Sequence, residues 1–332
     1  MNDVSIDRVN TAIEAVRAAS RVCRAVQAQL VTELTLQKKD RSPVTVADFA
    51  SQAIVCALLA EHAADIPVVA EEDSEQLRQG DQAPLLDAVV RQVSAGLGRA
   101  VEATEALAWI DRGGAEAGVQ RFWTLDPIDG TKGFVRKEQY AVALALIEDG
   151  QIVLGVLGCP NLPTNGGTGA LLVARRGGGA RQVPVERGGF HDGAPVGVSD
   201  VSDPTEACFC ESVESGHSDQ GGSAKVAARL RITAEPVRMD SQAKYAAVAR
   251  GDAAIYMRLP TRKNYREKIW DHAAGTIVVE EAGGRVSDIA GRALQYTHGR
   301  QLEENRGILA TNGRLHEAVL EAIRAEDITA PD

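Results

Sequence analysis

The stretch Trp123-Thr124-Leu125-Asp126-Pro127-Ile128-Asp129-Gly130-Thr131-Lys132-Gly133-Phe134 sets two carboxylates three residues apart around a proline, with a Gly-Thr pair directly behind. The β-branched and aromatic content of Arg121 to Leu125 predicts a strand that carries the chain into a buried site. Pro127 biases Asp126 toward extended backbone, which ends that strand and aims the carboxylate off its tip. Gly130 permits a tight turn, and Thr131 can open a short helix with exposed N–H groups. Hard oxygen ligands beside a helix N-terminus suit a divalent cation together with a phosphate. Two isolated aspartates are more simply an Asx turn that satisfies local backbone donors. Their companions elsewhere in the chain decide between the readings.

A length of 332 residues predicts about two domains and a large core. Hydrophobic residues at 44% and charged residues at 25% are ordinary for a globular protein. The net charge of −10 argues against a nucleic-acid partner, because nothing supplies nonspecific phosphate attraction. A small anionic substrate remains compatible, since a local cluster of cations can reverse the field. The five cysteines Cys23, Cys56, Cys159, Cys208 and Cys210 lack CxxC spacing and read as reduced thiols, mostly buried. No signal-peptide core opens the chain, and no apolar run approaches the ~20 residues of a membrane span. The expectation is a cytoplasmic, monomeric enzyme with no membrane partner.

Apolar residues at three- and four-residue steps predict a helix over 5–32. A second helix is expected from Thr45 to about His62, with Thr45 as its cap and Asp48 at the third position of a capping box. On that spacing alone, Asp48 is a cap. A short apolar strand over 66–70 delivers the acidic cluster Glu71-Glu72-Asp73-Ser74, and residues 80–120 read as helical with a loop. Two strands around Glu148-Asp149-Gly150 give a hairpin signal, and 171–174 continues the sheet. Residues 164–169 are glycine-rich without the spacing of a nucleotide loop and read as a loop. A boundary is placed near 195. Beyond it, strands 206–213, 231–239, 253–259, 285–289 and 307–311 alternate with helices 218–230, 241–250, 271–282 and one from Gly313, a layered α/β pattern.

Four acidic sites, Asp48, Glu71, the Asp126/Asp129 pair and Asp271, each sit at a junction between elements, as a site for several hard cations requires. With their flanking residues they resemble the inositol monophosphatase superfamily of Mg2+-dependent, lithium-sensitive phosphatases. Asp126 to Thr131 after Trp123 matches its first signature, Trp270-Asp271-His272-Ala273-Ala274-Gly275 its second, and Ala70 to Ser74 its acidic element. Within the superfamily, the 3′(2′),5′-bisphosphate nucleotidases share the form Asp129 to Phe134. They also share Ser212 to Ser218, Asp240-Ser241-Gln242-Ala243-Lys244-Tyr245, Arg258-Leu259-Pro260 and Tyr265 to Asp271.

The resemblance implies an αβαβα sandwich combining an α+β domain, residues 1–195, with an α/β domain, residues 196–332. It implies two to three Mg2+ ions held by Glu71, Asp126, Asp129, Asp271 and the carbonyl of Ile128. Asp48 and Thr131 would activate the attacking water. Thr131, His217, Ser241, Lys244, Arg258 and Asp271 would hold a nucleotide bisphosphate, with Ser241 and Lys244 on one helix face. Adenosine 3′,5′-bisphosphate is the implied substrate, with its sulfated precursor beside it. The alternatives are an inositol polyphosphate 1-phosphatase or dual enzyme, and a Mg2+- or nucleotide-binding regulator without turnover.

Overall fold

A computed structural model describes residues 4–33, 42–117, 120–213, 218–262 and 264–328. Helix α1 (Ile6–Glu33) carries Val9, Ile13, Val16, Cys23 and Val26 at helical spacing, and all five are buried. Helix α2 (Ser42–His62) begins three residues earlier than Thr45. Pro43 sits in its first turn, where a missing N–H leaves no hydrogen bond unmade. Asp48 therefore lies inside the helix and is buried, so the capping reading does not apply to it. Strand β1 (Val68–Ala70) follows, and helices α3 (Ala83–Leu97) and α4 (Ala103–Asp111) fill the stretch read as helical.

Strand β2 (Arg121–Asp129) does not stop before Pro127 but runs on to Asp129. After helix α5 (Thr131–Arg136) come β3 (Ala141–Glu148), β4 (Gln151–Thr164), β5 (Gly167–Arg175), β6 (Gly179–Pro184) and β7 (Ala194–Pro195). These strands form a seven-stranded sheet in chain order, antiparallel except where β1 pairs parallel with β2. The β3–β4 hairpin turns on Asp149 and Gly150 at φ of 50° and 75°, the left-handed pair that a tight hairpin demands. The expected loop at 164–169 is instead a hairpin tip. Thr164 pairs with Gly167 around Asn165-Gly166, a dipeptide suited to such turns.

The second half holds β8 (Phe209–Glu211), α6 (Gln220–Arg229), β9 (Val237–Arg238), α7 (Ala243–Ala249) and β10 (Ile255–Arg258), then α8 (Ala273–Glu281), β11 (Arg285–Ser287), β12 (Ile308–Thr311) and α9 (His316–Ala325). Its sheet runs β11-β12-β10-β8-β9. The strands are shorter than their apolar runs suggest, since apolar residues in the flanking loops are also buried. Helix α7 starts after Ser241, whose φ of 66° is left-handed, so Ser241 and Lys244 do not share a helical face. Cys208 falls outside β8, and all five cysteines are free.

Helices α1 and α2 cover one face of the first sheet, α7 and α8 pack between the sheets, and α6 and α9 cover the far face of the second. The fold is a layered α/β and α+β sandwich of the αβαβα type. No helix among the described residues is long and apolar enough to cross a membrane. The central layer sits tightly on the first sheet: a Cβ on Gly155 of β4 would lie 2.4 Å from Ile277 Cγ2 and 3.0 Å from the Ala274 carbonyl oxygen of α8. Gly155→Val is therefore expected to destabilise the protein by about 1–3 kcal/mol through overpacking, read as a lower urea midpoint. An unchanged midpoint would mean that α8 is not seated there.

Candidate active site

Register brings the first carboxylates together. Ala70 lies opposite Leu125 in the parallel β1–β2 pair, so the next residues, Glu71 and Asp126, emerge side by side. Asp126 then pairs with Ala143 and Asp129 with Ala141, so three steps on β2 face two on β3. Residues three apart on a regular strand point to opposite faces; the irregularity at Pro127, which has no N–H to give the ladder, re-aims Asp129. The Pro127 carbonyl accepts from Ser51 Oγ of α2 at 2.8 Å. Gly130 turns the chain at φ 85°, and any Cβ there would meet Ser241 Cβ at 2.8 Å. That close approach brings the second half against the first.

Gln242 ties the two halves. Its backbone N–H donates to Asp129 Oδ2 at 2.5 Å, its Nε2 donates to the Trp270 carbonyl at 2.8 Å, and its Oε1 accepts from Gly275 N at 3.0 Å. Asp271, next after Trp270, is thereby set opposite Asp129. Asp271 does not cap α8, because His272 holds that position. The result is a cleft of about 360 Å3. Glu71, Asp126, Ile128, Asp129, Thr131, Ser241, Lys244, Arg258 and Asp271 all line it, as do Tyr256 and Tyr265. Asp48 is buried behind the cleft rather than lining it. Among the described residues it makes no hydrogen bond to Thr131, whose Oγ1 donates to the Ile128 carbonyl at 3.4 Å. His217 lies outside the described residues.

Carboxylates dominate the electrostatics. Burial, then the charges of Glu71, Asp129, Asp271 and Asp48, hold Asp126 well above the usual carboxylate range. Burial and Asp129 likewise raise Asp271, and burial with Glu72 and Glu71 raises Asp48. Glu71 reaches the solvent-filled mouth, yet the protein packed around its carboxylate, with Glu72 and Asp129, pushes it up to about 7. Asp126 Oδ1 is buried with no hydrogen-bond partner among the described residues. A buried anionic oxygen without a donor fits a divalent cation, which reverses the local electrostatics. The donors are all hard oxygens, as Mg2+ prefers.

The cations are unequal. Arg258 is clamped by Glu267, through Nε to Oε1 at 3.0 Å and Nη2 to Oε2 at 2.9 Å. Lys244 is 5% exposed, lies 5.3 Å over the Tyr256 ring, and has no ion pair among the described residues. Several supporting residues carried no recognised signal in the sequence. Gln52 of α2 brackets the backbone of Glu72, donating to its carbonyl at 2.6 Å and accepting from its N–H at 3.1 Å. Arg136 pairs with buried Asp240, and Arg300 donates to the Ala70 carbonyl while stacking on Trp270 at 4.8 Å. Polar residues inside an apolar helix, such as Ser51-Gln52, were the one cue available.

The five alternating layers around an acidic cleft are those of an inositol monophosphatase-like phosphatase fold. The chain belongs to the inositol monophosphatase family, whose model matches residues 5–327. It is 43% identical over 339 residues to a 3′(2′),5′-bisphosphate nucleotidase of Schizosaccharomyces pombe, covering 97% of this chain and 95% of that one. A 3′(2′),5′-bisphosphate nucleotidase of Oryza sativa is 44% identical over 335 residues, covering 94% and 92%. Among solved structures, an inositol monophosphatase from Anabaena superposes with a TM-score of 0.63 at 23% identity, covering 96% of both chains. One from Zymomonas mobilis gives 0.64 at 20%, covering 96% and 98%. These two share the fold.

The raised carboxylates generate a stability prediction. A carboxyl group whose proton affinity is higher in the folded state binds more protons folded than unfolded, so stability falls as pH rises through that interval. In EDTA, Tm is expected to drop from below the ordinary glutamate range up through about 7, the Glu71 value. Excess Mg2+ is expected to restore it and flatten the profile. A Tm that rises with pH in EDTA across that window would contradict the electrostatics.

Proposed function

We propose that this chain is a Mg2+-dependent phosphatase that hydrolyses the 3′-phosphate of adenosine 3′,5′-bisphosphate to AMP and phosphate, with 3′-phosphoadenylyl sulfate as a second substrate. The observation that carries the reading is Lys244, a buried ammonium without an ion-pair partner among the described residues, in the same cleft as Glu71, Asp126, Asp129, Asp240 and Asp271. A buried charge calls for a close counter-ion, and an anion entering the cleft would supply one. A monophosphate drawn to the carboxylate end through cations leaves Lys244 unmatched; a substrate with a second, remote phosphate matches both ends. The names of the curated relatives point the same way.

Glu71, Asp126, Asp129, Asp271 and the Ile128 carbonyl would hold two to three ions. When bound, these supply positive charge against the phosphoryl oxygens and make a nearby water more acidic. Thr131 orients that water at the head of α5. Asp48, made avid for protons by its burial beside Glu72 and Glu71, would take the water's proton through Thr131 once the Thr131 hydroxyl turns from the Ile128 carbonyl toward it. Ser241, His217 and the Arg258 Nη1 hydrogens, with Lys244, take the nucleotide. The domain division at residue 195 belongs to the same proposal, with the substrate between the α+β part and the α/β part.

Phosphate release from adenosine 3′,5′-bisphosphate is expected with Mg2+ and abolished by EDTA; release unaffected by EDTA ends the metal reading. Adenosine 3′-monophosphate lacks the remote phosphate and isolates its contribution. Arg258→Ala and Lys244→Met are each expected to lower the ratio of kcat/KM for the bisphosphate over the monophosphate by about tenfold or more. Equal losses on both substrates would remove the second-phosphate contact. A higher kcat/KM for inositol 1,4-bisphosphate than for the nucleotide would reassign the substrate. Asp48→Asn is expected to lower kcat by on the order of 10² with an unchanged melting curve. Turnover near wild type would leave Asp48 with a packing role alone.

A further inference from the structure

Four side chains form one hydrogen-bonded chain that leads from Tyr245 and Arg258 in the cleft wall into the interior. Tyr245 OH meets His272 Nδ1 at 2.8 Å, His272 Nε2 meets Glu267 Oε2 at 3.2 Å, and Glu267 takes the Nε and Nη2 edge of Arg258 at 3.0 and 2.9 Å. Tyr245, Glu267 and His272 are all 6% exposed or less. One proton arrangement satisfies every member. Tyr245 donates to Nδ1, a neutral His272 donates from Nε2, and ionised Glu267 accepts from both His272 and Arg258.

The chain occupies one edge of the guanidinium and leaves the other. Arg258 Nη1 has no acceptor among the described residues, while Nη2 also touches Tyr265 OH at 3.4 Å. An arginine side chain free to rotate would present any edge to the cleft; one gripped on two nitrogens by a buried carboxylate presents a single edge. Two of the links neighbour a cleft residue in sequence, Tyr245 beside Lys244 and His272 beside Asp271.

Resting on the reading of a bisphosphate substrate, we infer that Glu267 is a positioning residue for the remote phosphate, braced by His272 and Tyr245, which turns the Nη1 hydrogens of Arg258 toward it. Glu267 does not touch substrate. It acts by fixing a guanidinium orientation in advance, so that less freedom is lost when the phosphate arrives.

A double-mutant cycle tests this, with the readout being the kcat/KM ratio of adenosine 3′,5′-bisphosphate to adenosine 3′-monophosphate. Glu267→Gln is expected to lower that ratio by about tenfold, because one charged grip on the guanidinium is lost. In the Arg258→Ala background the same substitution is expected to leave the ratio within about twofold. Tyr245→Phe, which removes a single oxygen, is expected to lower the ratio by about threefold and likewise to lose its effect without Arg258. It replaces Glu267→Gln in the cycle if that variant does not fold. A drop of equal size in both backgrounds, or equal losses on both substrates, overturns the inference while leaving the bisphosphate reading intact. If Arg258→Ala itself shows no selectivity, Arg258 does not hold the remote phosphate and the role of Glu267 falls with it; if Lys244→Met shows none either, the bisphosphate reading falls.

Discussion

Mutual repulsion among buried carboxylates is the constraint on which the site depends. Asp126 feels Glu71, Asp129, Asp271 and Asp48, and each of these charges makes the next harder to ionise. Such a group flies apart unless the backbone beneath it is rigid. Rigidity comes from three devices: the β1–β2 register that sets Glu71 abreast of Asp126, the irregularity at Pro127 that turns Asp129 inward, and Gln242 bonded to both Asp129 and the backbone before Asp271. The fold thereby holds these carboxylates close together in spite of their repulsion.

Much of this was legible in the amino-acid order, because periodicity and punctuation act locally. The α1 stripe, the β3–β4 hairpin at Asp149-Gly150 and the alternation of the second half follow from spacing and turn residues. Three readings failed, each where a non-local partner decides. Pro127 was taken to end β2, but pairing with β3 carries the strand past it. Asp48 looked like a cap because Thr45 and the acid three residues on fit a capping box, yet α2 starts at Ser42. Residues 164–169 read as a loop until their pairing across Asn165-Gly166 closed a hairpin.

Within the cleft, residues with motif signatures were found and their supports were not. Gln242, Glu267 and His272 lay inside quoted motifs but carried no role, since their work is to hold other side chains. Hydrogen bonds across 28 and 33 positions of sequence, such as Gln242 to Trp270 and to Gly275, leave no periodic trace. The pairing of cations was equally hidden. Arg258 and Lys244 read alike as phosphate-facing charges, and only the fold shows one held by Glu267 and the other without a counter-ion among the described residues.

Helices α7 and α8 come from the second half of the chain yet form the cover of the first sheet as well as the second. Ala141, Ala143, Leu157, Leu172 and Ala174 would lie open to water on a fragment ending at residue 195. Severing the polypeptide there would leave each piece with an unclothed apolar surface, prone to clump rather than to persist alone. Both pieces made together would have reason to reassemble, since each carries what the other lacks. The two halves thus share one apolar layer, however separate their topologies.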